Sequence, residues 1–415
     1  MLRKCCYTAQ NNNKNNMYSQ RYLTEIVDQA AQDDGELLLG FTFSANGHYL
    51  LSYSETGRVL LWDIRRPKNI SLLREKYTQA QQNGQIVFSL SGHNCKLSPQ
   101  VVCPKPGAGL PKALVASYNK QRQLCIWDIT AVSDAPYLTT QFTEQEIVKF
   151  EFSADGSKLV IVTENNLVDI YNLAKKIKLA SFNCNQHVMP IQKKSIISCQ
   201  FSLDSQHLLL AFCYLSRPYF IFQQSDHWRP HAIGRLTLAS SLSYCTFSPS
   251  RKKILVADNN IIRICENTAP WFTISIFTFT HPIKQCIFSA DENTILVSGE
   301  RFLAVHLTAP GHCLFQIEEA EAIISIDISP HNHAFIVMLS SGIVKQYCMQ
   351  TGQLIVKIID PILEGEDGPQ GNCVKFSPDG TTILTLVDAS CVNCWDAHLT
   401  SILRKKHQIN GTMKW

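Results

Sequence analysis

Sixteen cysteines, thirteen histidines and thirty-four acidic residues supply this chain of 415 residues with groups able to do chemistry. Their spacing argues against a reactive centre. Cys391-Val392-Asn393-Cys394 has the spacing of a metal clip or a redox pair. It stands alone in a stretch read as a strand, where residues three apart point to opposite faces. Cys5-Cys6 could carry lipid, but no second anchoring signal accompanies them. His331 and His333 fall in the turn after Ser329-Pro330, and His312 follows Pro310-Gly311, which reads as a hairpin turn. A glycine loop leading into Lys-Ser/Thr, a nucleophile elbow and a zinc-type His-Glu-x-x-His are all missing from the sequence. The expectation is a chain with no catalytic residue, no metal and no cofactor.

Residues suited to holding a partner are easier to find. Glu318, Glu319 and Glu321 form one acidic group and Glu364, Glu366 and Asp367 another, and their joint field would attract a basic peptide. Their alternative reading is a solvated rim. Tyr214, Arg217, Tyr219, Trp228 and Arg229 bring together the residue types enriched at binding hot spots, with Trp228 expected in a loop spanning 223–230. Their alternative is aromatics folded into the core. Lys193-Lys194, Arg251-Lys252-Lys253 and Arg404-Lys405-Lys406 are basic clusters scattered along the chain, which reads as solvated turns rather than a phosphate-binding stripe. The net charge of +4 gives no general argument for nucleic acid.

A repeat determines where these residues stand. A phrase of Phe-Ser followed by turn formers occurs at Phe43-Ser44, Phe152-Ser153, Phe201-Ser202, Phe247-Ser248, Phe288-Ser289, Ile328-Ser329 and Phe376-Ser377. A degraded copy is read at Leu97-Ser98-Pro99. Each phrase ends a strand and turns into an apolar run. Phe43 to Trp62, Phe152 to Tyr171, Ile328 to Tyr347 and Phe376 to Trp395 are each 19 residues apart. The phrase recurs every 40 to 55 residues, room for four short strands, the content of one propeller blade. The expected fold is a single all-β propeller from residue 21 to 415 with eight blades favoured and seven as the alternative. It follows a disordered asparagine-rich tail at 1–20. Residues 21–27 suit a strand that closes the ring, or a short helix. No apolar run approaches the roughly 20 residues that span a bilayer.

Trp62-Asp63, Trp127-Asp128, Trp395-Asp396 and Gly92-His93, together with Phe376-Ser377-Pro378-Asp379-Gly380, resemble the WD40 repeat family over nearly all of the chain from about residue 30. The resemblance implies a propeller that binds proteins. It also implies the His-Ser-Asp-Trp network that such blades often build, of which no unit of this chain carries a complete set. Here His93, Ser117 and Trp127 could form most of one, while Lys120 and Gln121 stand where its acid would fall. Trp62-Asp63-Ile64-Arg65 is similar to the box by which some WD40 substrate receptors engage the adaptor of a cullin ubiquitin ligase, which would make Arg65 an adaptor contact. Tyr53 and Thr56 depart from that box. The function expected is a non-enzymatic scaffold in a multiprotein complex, with the ligase receptor and an RNA-associated assembly factor as alternatives.

Cys199, Cys245 and Cys286 each precede the phrase aromatic by two residues, a place taken by Phe41, Phe150 and Ile326 in other units. Strand alternation makes this an apolar packing position, with cysteine acting as a small hydrophobe. Equivalent sites in stacked sheets are about 10 Å apart, beyond the roughly 7 Å of a disulfide. Reduced thiols and a cytoplasmic or nuclear address are therefore expected.

Overall fold

The computed structural model describes residues 22–27, 38–44, 46–63, 86–90, 97–104, 109–119, 121–130, 136–141, 145–183, 196–202, 205–212, 219–225, 227–232, 242–266, 273–358, 371–387 and 391–397. The strands run in chain order. β1 (Tyr22–Val27) comes first. β2 (Leu38–Phe43), β3 (Tyr49–Ser54), β4 (Val59–Asp63) and β5 (Ile86–Leu90) form one sheet. The next contains β6 (Gln100–Val102), β7 (Leu114–Tyr118), β8 (Gln123–Asp128) and β9 (Leu138–Gln141). A third holds β10 (Ile147–Phe152), β11 (Lys158–Thr163), β12 (Leu167–Asn172) and β13 (Ile177–Asn183). A fourth holds β14 (Ile196–Phe201), β15 (His207–Phe212), β16 (Tyr219–Ser225) and β17 (His227–Ala232). β18 (Leu242–Phe247), β19 (Lys253–Asp258), β20 (Ile261–Glu266) and β21 (Thr273–Thr278) make the fifth. β22 (Gln285–Phe288), β23 (Thr294–Ser298), β24 (Phe302–Leu307) and β25 (Cys313–Glu318) make the sixth. β26 (Ile323–Ile328), β27 (Ala334–Leu339), β28 (Val344–Cys348) and β29 (Leu354–Ile358) make the seventh. The last sheet contains β30 (Gly371–Phe376), β31 (Thr382–Val387) and β32 (Cys391–Asp396), with β1 paired antiparallel to β32 as its fourth strand.

All pairings are antiparallel, and the sheets pack side by side in a cycle. β2 neighbours both β6 and β30. β10 neighbours β6 and β14, β14 neighbours β18, and β26 neighbours β22 and β30. The fifth and sixth sheets join through an apolar cluster of Leu255, Ile262, Ile264, Cys286, Ile295 and Phe302. Contact between the first strands places them on the inside of the cycle. The fold is therefore an all-β propeller whose cores lie between sheets, each filled from both sides.

The Phe-Ser phrase is the device that makes the inner hairpins. In seven sheets the serine is buried, and its Oγ accepts the backbone N–H five residues on, as in Lys158 N to Ser153 Oγ at 2.9 Å and Thr382 N to Ser377 Oγ at 2.9 Å. Where an Asp or Asn stands two residues on, the hydroxyl donates to it, at 2.6 Å for Asp155 and 2.7 Å for Asn46. The residue three after the serine is left-handed in all seven copies, with φ from 57° to 71° across Gly47, Gly156, Ser205, Arg251, Glu292, Asn332 and Gly380. Glycine takes this conformation without steric cost.

Pairing register corrects the phrase assigned at Leu97-Ser98-Pro99, which lies before β6. Val101 pairs with Val115, which pairs with Trp127. Phe152, Leu159 and Tyr171 are the same trio one sheet later. Val101 is thus the phrase position of this sheet. The insertion around Pro104 separates Val102 from its partner Leu114 by 12 residues, where the other copies need 5. That displaced the spacing rule.

The position two residues before the phrase aromatic is a packing position, as expected. Cys199, Cys245 and Cys286 are 0–1% exposed, as are Ile326 and Val374 at the same position. They are thiols, not disulfides. Burial pushes the Cys245 and Cys286 thiols well above their ordinary value. No helix among the described residues is long and apolar enough to cross a membrane.

Candidate functional site

Antiparallel order sorts the loops by end. The first hairpin turns and the third-to-fourth strand turns share one end of the ring. The connections between sheets and the second hairpin turns share the other.

The acidic group lies at the inter-sheet end, and the structure divides it. Glu318 closes β25 and is exposed. Glu319 turns inward, 6% exposed, where its Oε2 accepts Lys345 Nζ at 2.6 Å and its Oε1 accepts the Tyr347 hydroxyl. That contact and burial push the Tyr347 hydroxyl far up. Glu321 accepts the Ser341 N–H at 3.1 Å, pinning the facing turn. Glu319 and Glu321 thus secure the seventh sheet. Glu364, Glu366 and Asp367 lie outside the described residues, as do Arg217 and Tyr214.

Of the aromatic group, Tyr219 opens β16, while Trp228 and Arg229 lie in β17. Trp228 pairs with Gln224 and Arg229 with Gln223. Trp228 is therefore a strand residue and not a loop residue. The hairpin is tighter than read because pairing continues to Ser225 and His227.

The Trp-Asp motifs are structural. Trp62 Nε1 donates to Ser52 Oγ at 3.1 Å, Trp127 Nε1 to Ser117 Oγ at 3.3 Å and Trp395 Nε1 to Thr385 Oγ1 at 3.0 Å. A hydroxyl ten residues upstream satisfies each indole. Sheets with Tyr, Phe, Cys or His at the tryptophan position carry Ile, Leu or Val there instead. Arg65, Lys120 and His93 lie outside the described residues.

A polar ladder that no sequence motif announces runs along the inner strands, at the end where the first hairpin turns lie. In four sheets the residue before the phrase position, Gln100, Glu151, Gln200 or Asp327, reaches the backbone of the next sheet. Gln200 Oε1 accepts Phe247 N at 3.2 Å, and Asp327 Oδ2 accepts Phe376 N at 2.8 Å. Gln100 bridges to Phe150 O at 2.8 Å and Phe152 N at 3.2 Å. Glu151 accepts from Phe201. These side chains clamp neighbouring sheets through backbone groups, so different residue types serve, and no motif results. Burial pushes the Glu151 carboxyl up to about 7, against the pull of Lys149 and Arg251. Burial also lowers Arg251, against Glu151.

The ladder changes between the fifth and sixth sheets. Thr246 directs its hydroxyl back to Gln200 Oε1 at 3.1 Å. A cavity of about 210 Å³ opens there, lined by Gln200, Tyr244, Thr246, Phe247, Arg251 and Ile287 among others. Among the described residues no cluster of three metal-ligating side chains occurs.

No protein-family model matches the chain, and no curated protein sequence matches it. Solved structures do. The C-terminal WD40 domain of Sif2 superposes at a TM-score of 0.63 with 12% identity, over 92% of this chain and 99% of that domain. The computationally designed protein Ika8 gives 0.63 and 13%, over 91% and 100%. A chain of the mitotic checkpoint complex gives 0.50 and 15%, over 72% and 90%. The fold is that of WD40 propellers.

Proposed function

We propose that the protein is a non-enzymatic scaffold, an eight-bladed ring that holds partner proteins on the loops at its two ends. One observation carries this reading. Many of the described groups capable of chemistry are absorbed by architecture: Cys125, Cys199, Cys245, Cys265 and Cys286 in sheet cores, phrase aspartates in turns, Glu319 on Lys345 and Tyr347. What such a body can offer is a rigid set of loops at fixed geometry. The eight four-stranded sheets and their closed cycle of neighbours support the blade count. The likeness to a chain of the mitotic checkpoint complex supports assembly work in kind. Buried thiols support a reducing compartment, cytoplasm or nucleus.

Cross-linking mass spectrometry on the tagged full chain in its native cell tests the proposal. The expected result is a small, reproducible set of proteins cross-linked to residues at the ring ends. A chain recovered as a free monomer with no cross-linked protein would overturn it.

Two narrower forms have direct tests. If Trp62–Arg65 engages a ligase adaptor, Arg65→Ala removes adaptor capture. If Glu318 and the 364–367 acids hold a basic peptide, raising salt from 0.05 to 0.5 M weakens a lysine-rich probe about tenfold or more.

A further inference from the structure

The cavity between the fifth and sixth sheets combines two kinds of wall. One carries the Arg251 guanidinium, which stacks 5.2 Å from the centre of the Phe247 ring and lies 3.5 Å from Gln200 Oε1. Tyr244 stands on the same side, its phenol held neutral by burial, with a pKa of about 12. The other wall is apolar, from Ile287, Phe288 and Cys286. Cysteine is inert here, since burial raises its thiol far above neutrality. Two carboxyls lie near this place: Glu151, on which Lys149 and Arg251 both act, and Glu292, which accepts from Ser248 and Ser250 and is matched by Lys253. Three cations thus face two acids.

We propose that this cavity is a binding site for a carboxylate on a short branched apolar stem, its acid group meeting Arg251 and its hydrocarbon meeting Phe247, Ile287 and Phe288. A planar guanidinium is the donor suited to a carboxylate, and a neutral phenol beside it adds a donor without adding charge. The volume of about 210 Å³ suits a group of roughly leucine size. The site does not depend on the scaffold reading, because a small acid would enter whether or not the ring carries a partner. Two sources present this chemistry: a free branched-chain acid, and the carboxyl end of a partner chain that finishes in leucine.

Titration of the full chain by methyl NMR tests the proposal with 4-methylpentanoate, its amide, and the peptide Ala-Ala-Ala-Leu with a free or an amidated end. The acid forms are expected to saturate, and the amides to bind at least about tenfold more weakly. Arg251→Lys, which keeps the charge but loses the planar fork and the stack on Phe247, weakens binding several-fold, Arg251→Gln loses about tenfold or more, and Ile287→Trp, which fills the cavity, abolishes it. A peptide about tenfold tighter than 4-methylpentanoate assigns the site to chain ends, and equal affinity assigns it to the free acid. The proposal is overturned if neither acid saturates, if acid and amide bind alike, or if Arg251→Gln leaves the affinity unchanged. The acid–amide comparison uses the native chain, so it holds even where a variant fails to fold.

Discussion

A single hydroxyl organises each inner hairpin. Ser153 accepts the Lys158 N–H at 2.9 Å and donates to Asp155 at 2.6 Å. Ser153→Ala leaves a buried N–H without that acceptor, which costs about 1–2 kcal/mol. Urea unfolding should register that loss, and an unchanged midpoint would show the turn is held by its backbone alone. Asp155 makes the same turn sensitive to acid. Burial opposes its charge, but bonds from Ser153, Ser157 and Ser205 outweigh burial and hold the carboxyl at about 2. A carboxyl depressed below its unfolded value of roughly 3.9 stabilises above that value, and the contribution fades as pH falls toward 2. Glu151 has the opposite sign. Its folded value of about 7 exceeds the unfolded one, so its contribution is complete below about pH 4 and is lost as pH rises through 7. Glu151→Gln, which imitates the protonated form, should flatten the decline in stability between pH 5 and 8 by roughly 2 kcal/mol. Melting curves of both proteins across that range give the answer, and parallel pH profiles would exclude Glu151 as the source.

At the scale of elements, the hairpin phrase was legible because a turn restricts residue type. A left-handed position favours glycine or asparagine, and a capping serine has few substitutes. The ladder between inner strands was not legible. Gln100, Glu151, Gln200 and Asp327 share a task but not one common side-chain type, because they bind backbone groups. Sheet two escaped for a third reason. An insertion in its first hairpin moved the phrase away from its expected spacing, and only pairing of Val101 with Val115 recovers it. Acidic Glu319 and Glu321 read as surface charge, since sequence cannot show that Lys345, Tyr347 and Ser341 stand opposite them. Glu319→Gln should therefore act on stability. It removes the ion pair to a 22%-exposed Lys345 side chain and costs about 1–2 kcal/mol. Capture of cross-linked partners should be unchanged, and lost capture at normal stability would return Glu319 to a surface role.

The whole molecule is held by one splice. β1 comes from the start of the chain and completes the sheet that ends it, pairing Tyr22 through Val27 with Trp395 through Cys391. A ring closed this way has no privileged beginning, and that makes a sharp prediction. Opening the chain in 359–370, and joining residue 415 to residue 1 by a short flexible linker, places β30, β31, β32 and β1 in sequence as an ordinary four-stranded sheet. The covalent break then falls between β29 and β30, where the packing of Ile336, Met338, Val374 and Phe376 still joins the two sheets. Loop-closure entropy changes slowly with length, about 0.6 kcal/mol for each doubling, so the permuted chain should fold and melt within a few degrees of the native one. Deleting residues 1–27 should do the opposite, because it strips β32 of its outer partner and exposes a strand edge. Its melting should broaden and fall, with aggregation. Circular dichroism and scanning calorimetry on the three proteins distinguish a closed ring from a linear stack of sheets. A permutant as unstable as the truncation would mean that stability propagates from one fixed end of the chain, and that β1 serves as a tether to the last sheet instead of a strand of a closed ring.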